Sequence, residues 1–205
     1  MKYGKLISIE GVEGVGKSTV ISSITRWAEN ILDRFLVTRE PGGTEISEKI
    51  RNVLIDHHEK PLCDQAELLL MFASRAQLFQ EVIAPALSKG TWVITDRFVD
   101  ASYAYQGAGR GFKVDEIKSL HDISIGGHVP DLTFLLDLPI EISRSRISHR
   151  ELDRIELEKD EFFHRVRQGY LSMAKNNPER FCLIDATLTK EAVHQKVIER
   201  LESFF

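Results

Sequence analysis

Gly11-Val12-Glu13-Gly14-Val15-Gly16-Lys17-Ser18 follows directly on Leu6-Ile7-Ser8-Ile9-Glu10 and runs straight into Thr19-Val20-Ile21. It matches G-x-x-x-x-G-K-[ST] at every fixed position, between a β-branched run and a helical pattern, which is the context that motif requires. The glycines let backbone N–H groups curl round phosphate oxygens, and the following helix turns its positive N-terminal end toward them. The Lys17 ammonium suits a bridge between phosphates, and the Ser18 hydroxyl suits Mg²⁺. The stretch Gly11 to Thr19 therefore reads as a nucleoside-triphosphate site.

Outward from that loop, short apolar and β-branched runs recur at Leu6 to Ile9, Phe35 to Thr38, Trp92 to Thr95, Leu132 to Leu136 and Phe181 to Ile184. Between them the apolar spacing is helical at Lys17 to Ile31, Glu45 to Ile55, Gln65 to Ser88, Val114 to Ser124, Asp160 to Ala174 and Lys190 to Glu202. Strands alternating with helices predict an α/β fold, a five-stranded parallel sheet with helices on both faces. Pro85 is expected to kink or interrupt the third helical pattern, and Lys89-Gly90 to end it. No internal repeat or linker divides the 205 residues, so residues 1–205 are read as one domain.

The 27 basic residues are scattered among 31 acidic ones, a net charge of −4, which argues against a nucleic-acid partner. Cys63 and Cys182 form no C-x-x-C arrangement and read as packing thiols in a reducing compartment. Met1-Lys2-Tyr3-Gly4-Lys5 leads into the first strand without a signal-peptide pattern, and no stretch has the ~18 apolar residues of a membrane span. The expected setting is cytoplasmic, with no membrane partner. His57-His58, near Cys63 and Asp64, lacks a second spaced ligand pair and reads as a surface loop.

In open parallel sheets, ligands sit beyond the carboxyl ends of the strands. Those ends carry Glu10, Arg39-Glu40, Asp96-Arg97 and Asp137. Beside a phosphate loop, Asp96 can hold Mg²⁺ through water or accept a proton from an attacking oxygen, and Arg97 can clamp a phosphate bidentately. Arg146, Arg150 and Arg154 recur at i, i+4, i+8 after Asp137-Leu138-Pro139 and form one stripe if that segment is helical.

With these segments in order, the chain resembles the thymidylate kinases of bacterial type over essentially its full length. The likeness rests on Ile9 to Gly14, Thr38-Arg39-Glu40-Pro41-Gly42-Gly43-Thr44, Glu67-Leu68-Leu69-Leu70 through Arg75-Ala76-Gln77, and Asp96-Arg97-Phe98. It continues through Ala104-Tyr105-Gln106-Gly107, Pro130-Asp131-Leu132 with Leu136-Asp137, and Asp153-Arg154-Ile155-Glu156. The resemblance implies a P-loop NTPase fold with a short lid over about residues 140–156, a homodimer, and transfer of a phosphoryl group from ATP to dTMP with Mg²⁺.

By the same resemblance, Lys17 and Ser18 serve ATP and its metal, with Asp96 beside them, while Arg97 and Arg51 take the acceptor phosphate. Glu13 faces the acceptor sugar. Glu40 and Pro41 bind substrate, Ser102, Tyr105 and Gln106 line base and deoxyribose, and a Tyr105 ring against the 2′ carbon would exclude ribonucleotides by bulk. Arg75 bonds a thymine carbonyl; the stacking position four residues earlier holds Met71 rather than the family's phenylalanine, with Phe72 next door. Phe162, Arg165 and Tyr170 follow the family pattern as structural residues. Many eukaryotic relatives carry an arginine after the loop acid, where this chain has Gly14. The lid arginines Arg146, Arg150 and Arg154 are then the expected source of positive charge on the transferring group, with Arg144 and His149 as substitutes. Rival readings are another small P-loop kinase, for a different monophosphate or a deoxynucleoside, and a nucleotide-gated ATPase or switch.

Overall fold

The five apolar runs form β1 (Leu6–Glu10), β2 (Phe35–Arg39), β3 (Trp92–Asp96), β4 (Leu132–Asp137) and β5 (Phe181–Asp185) in a computed structural model describing residues 3–205. Met1 and Lys2, part of the expected lead into β1, lie outside the described residues. The strands are all parallel in the order β2-β3-β1-β4-β5. β1 is buried at every position, whereas edge strand β2 exposes alternate residues. That contrast explains why the central strands read as continuous apolar runs.

Successive β1 side chains feed two cores, as the strand period of two requires. Ile7 and Ile9 pack with Ile24 of α1 (Lys17–Ile31), Phe163 and Val166 of α8 (Asp160–Asn176), and Val197 and Leu201 of α9 (Lys190–Phe204). Leu6 and Val93 pack on the opposite face with residues of α3 (Asp64–Leu78), α4 (Ala84–Ser88) and α6 (Val114–Ile125). α2 (Glu45–Ile55) lies against α3. No helix among the described residues is long and apolar enough to cross a membrane.

The local structure refines one expectation, adds one helix and corrects one reading. The helical pattern over Gln65 to Ser88, expected to be kinked or interrupted at Pro85, is α3, a π-helical turn at Phe79–Ile83 just ahead of that proline, and α4. Pro85 falls at the start of α4, where its missing N–H does least harm, and the widened turn absorbs the mismatch. The stretch after Phe98, which lies outside the helical patterns read from the sequence, is α5 (Val99–Ser102) followed by a π-helical segment, Tyr103–Gly109, packed on α8. The lid arginines do not share a helical stripe: α7 (Ile140–Ile147) ends before Arg150, and residues 151–153 form neither helix nor strand.

Candidate active site

The sheet brings the carboxyl ends of β1, β3 and β2 side by side, with Ile9 opposite Asp96 and Asp96 opposite Arg39. Over that edge the loop turns through Gly11, Gly14 and Gly16, all at positive φ. α1 starts at left-handed Gly16 with no side-chain cap and no acid in its first turn, whereas α2 has Thr44, Glu45 and Glu48 there. Its first N–H groups are therefore free to meet an anion. Lys17 Nζ donates to the carbonyl oxygens of Gly11 (3.4 Å) and Val12 (3.2 Å). Burial and the neighbouring Arg97 charge lower the Lys17 pKa, against the pull of Asp96, Glu13 and Glu10. An incoming phosphate would add negative charge beside both Lys17 and Arg97.

The buried side-chain atoms without a hydrogen-bond partner among the described residues are Asp96 Oδ1 and Glu40 Oε1, both at this site. Such atoms are rare in folded proteins and mark places where a water, an ion or a ligand can bind. Asp96 and Ser18 border one cleft of about 510 Å³ with Thr38 and Gly43. A carboxylate and a hydroxyl are hard oxygen donors that fit Mg²⁺. Among the described residues no group of three or more His, Cys, Asp or Glu could hold a metal, so phosphate and water oxygens would complete its shell.

A second cavity, about 210 Å³, runs from Lys17 and Glu13 past Arg97 and Arg51 to Met71, Arg75, Ser102 and Gln106. Arg97 Nη2 donates to Glu13 Oε1 (2.7 Å) and to the Tyr105 hydroxyl (3.0 Å), and Tyr105 donates to both Glu13 oxygens (2.8 and 2.9 Å). Burial keeps the Tyr105 hydroxyl protonated, pushing its pKa well up. Arg51 Nη1 donates to the Pro41 carbonyl (2.8 Å).

At the far end Arg75 is buried. Its Nε donates to Glu40 Oε2 (2.7 Å), Nη1 to Ser102 (2.9 Å) and Nη2 to the Phe98 carbonyl (3.2 Å). Burial raises the Glu40 pKa despite the Arg75 charge beside it. Met71 lines this end, but Phe72 does not. Phe72 is turned into the second core, 3% exposed, and its ring lies under the Arg75 guanidinium at 4.9 Å. The one-residue step between them rotates a helix by about 100°, so only one can face the cavity.

The three lid arginines diverge. Arg146 donates to the Gly14 carbonyl (3.3 Å) and to the Ala186 carbonyl (3.2 Å), at the triphosphate side. Arg150 pairs with Glu156 while its side chain stays 47% exposed. Arg154 turns away from the loop, donating to the Leu54 carbonyl (2.8 Å) and to Glu67 Oε2 (2.8 Å). Glu67, 1% exposed, also takes Gln106 Nε2 (3.0 Å) and Arg110 Nη2 (3.0 Å). Burial pushes its pKa up, but the hydrogen bonds from Arg110, Gln106 and Arg154 outweigh that and hold it low. Arg144 is occupied with the carbonyls of Glu156 and Glu158 and with Asp160, so it belongs to the frame of the lid.

Arg39, Asp153 and Glu156 also line this second cavity, though sequence reasoning gave them no role there. Their signal was present: Arg39 stands at a strand end, and Asp153 and Glu156 lie in one of the matching segments. Gly14 is packed against α7. Ser143 of α7 donates to the Glu13 carbonyl (2.6 Å), and a Cβ at Gly14 would sit 2.7 Å from the Ser143 oxygen. His57 and His58 lie exposed between α2 and α3, as expected of a surface loop.

A family model described as thymidylate kinase matches residues 9–197. A thymidylate kinase of Acinetobacter baylyi is 47% identical over 199 residues, covering 96% of this chain and 98% of that protein. One from Nitrosomonas eutropha is 44% identical over 206 residues, covering 100% and 95%. The crystal structure of thymidylate kinase from Ehrlichia chaffeensis superposes with a TM-score of 0.78 at 33% identity, covering 97% of this chain and 99% of that one.

Proposed function

The chain belongs to the thymidylate kinase family, and on that premise we propose that it transfers the γ-phosphoryl group of ATP to dTMP, giving dTDP and ADP. The observation that carries the reading is one continuous cavity joining Lys17 of the phosphate loop, the Arg97–Arg51 pair, and a closed end of Met71, Arg75, Ser102 and Gln106. That sequence of groups suits a donor phosphate, an acceptor phosphate and a base in line.

Phosphoryl transfer is mostly positioning and charge neutralisation. The loop amides from Gly11 to Thr19 and the Lys17 ammonium hold the donor phosphates. Ser18 and Asp96 would hold Mg²⁺, which when bound neutralises charge building on the phosphate oxygens. Arg97 and Arg51 fix the acceptor phosphate, and Glu13 takes the sugar hydroxyl beside it. Tyr105, pinned between Glu13 and Arg97, crowds the 2′ position against ribonucleotides. Arg75, held by Glu40, meets a thymine carbonyl over Met71. Of the lid arginines, Arg150 is the reserve of charge for the transferring group, because exposure leaves it free to exchange Glu156 for phosphate; Arg146 anchors the lid at the ATP side. Arg154 is removed from this set by its bonds to Glu67 and Leu54.

Turnover measured with ATP against dTMP, dUMP, dCMP and dGMP tests the reading: dTMP should lead, and equal rates would overturn it. We also propose a cytoplasmic homodimer, supported by Val53, Leu69 and Ile123, which expose apolar side chains on α2, α3 and α6, helices that pack in succession. Light scattering on the purified chain tests this, and a monomer at all concentrations would refute it.

A further inference from the structure

Arg97 is the only residue other than glycine with a left-handed backbone (φ 71) among the described residues. A long side chain rarely tolerates that conformation, and it persists only where surroundings hold it from several directions. Here one buried carboxyl group supplies two of them. Glu10, 0% exposed at the end of central strand β1, accepts the Phe98 N–H at 2.7 Å through Oε1, fixing the backbone just after Arg97. Through Oε2 it accepts the Tyr170 O–H at 2.7 Å, and the Tyr170 oxygen in turn accepts Arg97 Nη1 at 3.3 Å. The Arg97 N–H itself donates to the Ile9 carbonyl at 3.0 Å. Glu13 and Tyr105 hold the guanidinium from the cavity side; Tyr170, bonded in turn to Glu10, holds it from behind, and neither Glu10 nor Tyr170 borders the cavity.

We propose that Glu10 and Tyr170 form a positioning pair for Arg97, with Glu10 fixing the backbone beside it and orienting the Tyr170 hydroxyl as an acceptor for its guanidinium. The pair touches no substrate and acts only through Arg97. The inference rests on the reading of Arg97 as the clamp for the acceptor phosphate. It predicts a defect confined to ligands that carry that phosphate, which general loosening of the fold would not produce.

The test is calorimetric binding of dTMP and of thymidine, the same molecule without phosphate, to wild type, Tyr170→Phe, Glu10→Gln and Arg97→Ala. Tyr170→Phe keeps a ring packed at 1% exposure and removes only the hydroxyl, so it carries the test should Glu10→Gln fail to fold. It is expected to weaken dTMP about tenfold, the effect of losing one hydrogen bond to a charged group, and to leave thymidine unchanged. In an Arg97→Ala background Tyr170→Phe should cost nothing more. Equal losses for dTMP and thymidine, or undiminished dTMP binding, would overturn the pairing. Arg97→Ala separates the two claims. If it leaves dTMP favoured over thymidine as in wild type, the clamp reading fails and the pairing falls with it; if it abolishes that preference while Tyr170→Phe leaves dTMP binding undiminished, the pairing alone fails.

Discussion

Replacing Gly14 with alanine adds one methyl group at the seam between the phosphate loop and α7. That Cβ would lie 2.7 Å from the Ser143 carbonyl oxygen, 3.2 Å from Ile147 Cγ2 and 3.4 Å from Arg146 Cβ, on a backbone at φ +72. The left-handed conformation costs a side-chain-bearing residue about 1–2 kcal/mol. Overfilling a packed contact adds about 1–3 kcal/mol. The sum, about 2–5 kcal/mol, corresponds to a Tm lower by about 4–20 °C for a chain of this size. The same displacement pulls Ser143 from the Glu13 carbonyl and Arg146 from the Gly14 carbonyl, so KM for ATP should rise as well. Gly16→Ala is the internal control: its φ is +97, but nothing lies within 4 Å of its Cβ, so without nucleotide it pays the backbone cost alone. Calorimetric unfolding of both variants without nucleotide, followed by steady-state kinetics, isolates the seam. Equal Tm losses for the two would refute the contact between loop and lid. Gly14→Arg meets the same wall, so an arginine grafted there should lower activity rather than add to it.

Arg150→Ala should lower kcat by about 10³ while moving either KM little, and Arg154→Ala should spare kcat relative to it; similar kcat values for the two variants would sink that division of labour. Phe72→Ala should cost about 3–5 kcal/mol in denaturant unfolding as a core deletion. Met71→Ala should leave stability nearly intact and raise KM for dTMP, and the reverse pattern would show that the helix faces are misread. Burial and the nearby Asp100 charge push the Glu10 pKa from 4.5 up to about 8. A carboxyl that binds its proton more tightly folded than unfolded adds stability at low pH, and this is lost as pH rises from about 4.5 through about 8. Urea unfolding across that window should therefore show wild type losing stability relative to Glu10→Gln, and parallel curves would contradict the shift.

Strand runs and the loop motif made the sheet legible, because central β1 and β4 are buried on both faces and cannot hide their apolar sequence. Arg97, Arg75 and Tyr105 were legible for a different reason: each is a charged or polar residue at a strand end or in a matching segment, and all three line one cavity. What escaped was set by tertiary context. Whether residues 148–159 continue α7 depends on where Arg154 finds its partner, and Glu67 lies far off in sequence. The choice between Met71 and Phe72 is a matter of helix phase, which a π-helical turn and neighbouring core residues fix. Helix from Tyr103 to Gly109 is carried by packing on α8, so close that a Cβ added at Gly109 would lie 2.6 Å from the Phe162 ring, rather than by local propensity.

Glu67 constrains how this sequence can drift. Its carboxylate is a shared anchor for Gln106 at the base end, Arg110 after the π-helical segment, and Arg154 in the lid. Losing it would strand buried cations, at a cost of about 3–5 kcal/mol for a single broken buried pair. A substitution at any one of the four positions therefore passes selection most readily with a compensating change at another. Two segments far apart along the chain, around Gln106 and around Arg154, are thus tied through one acid that is 1% exposed and does not border the cavity.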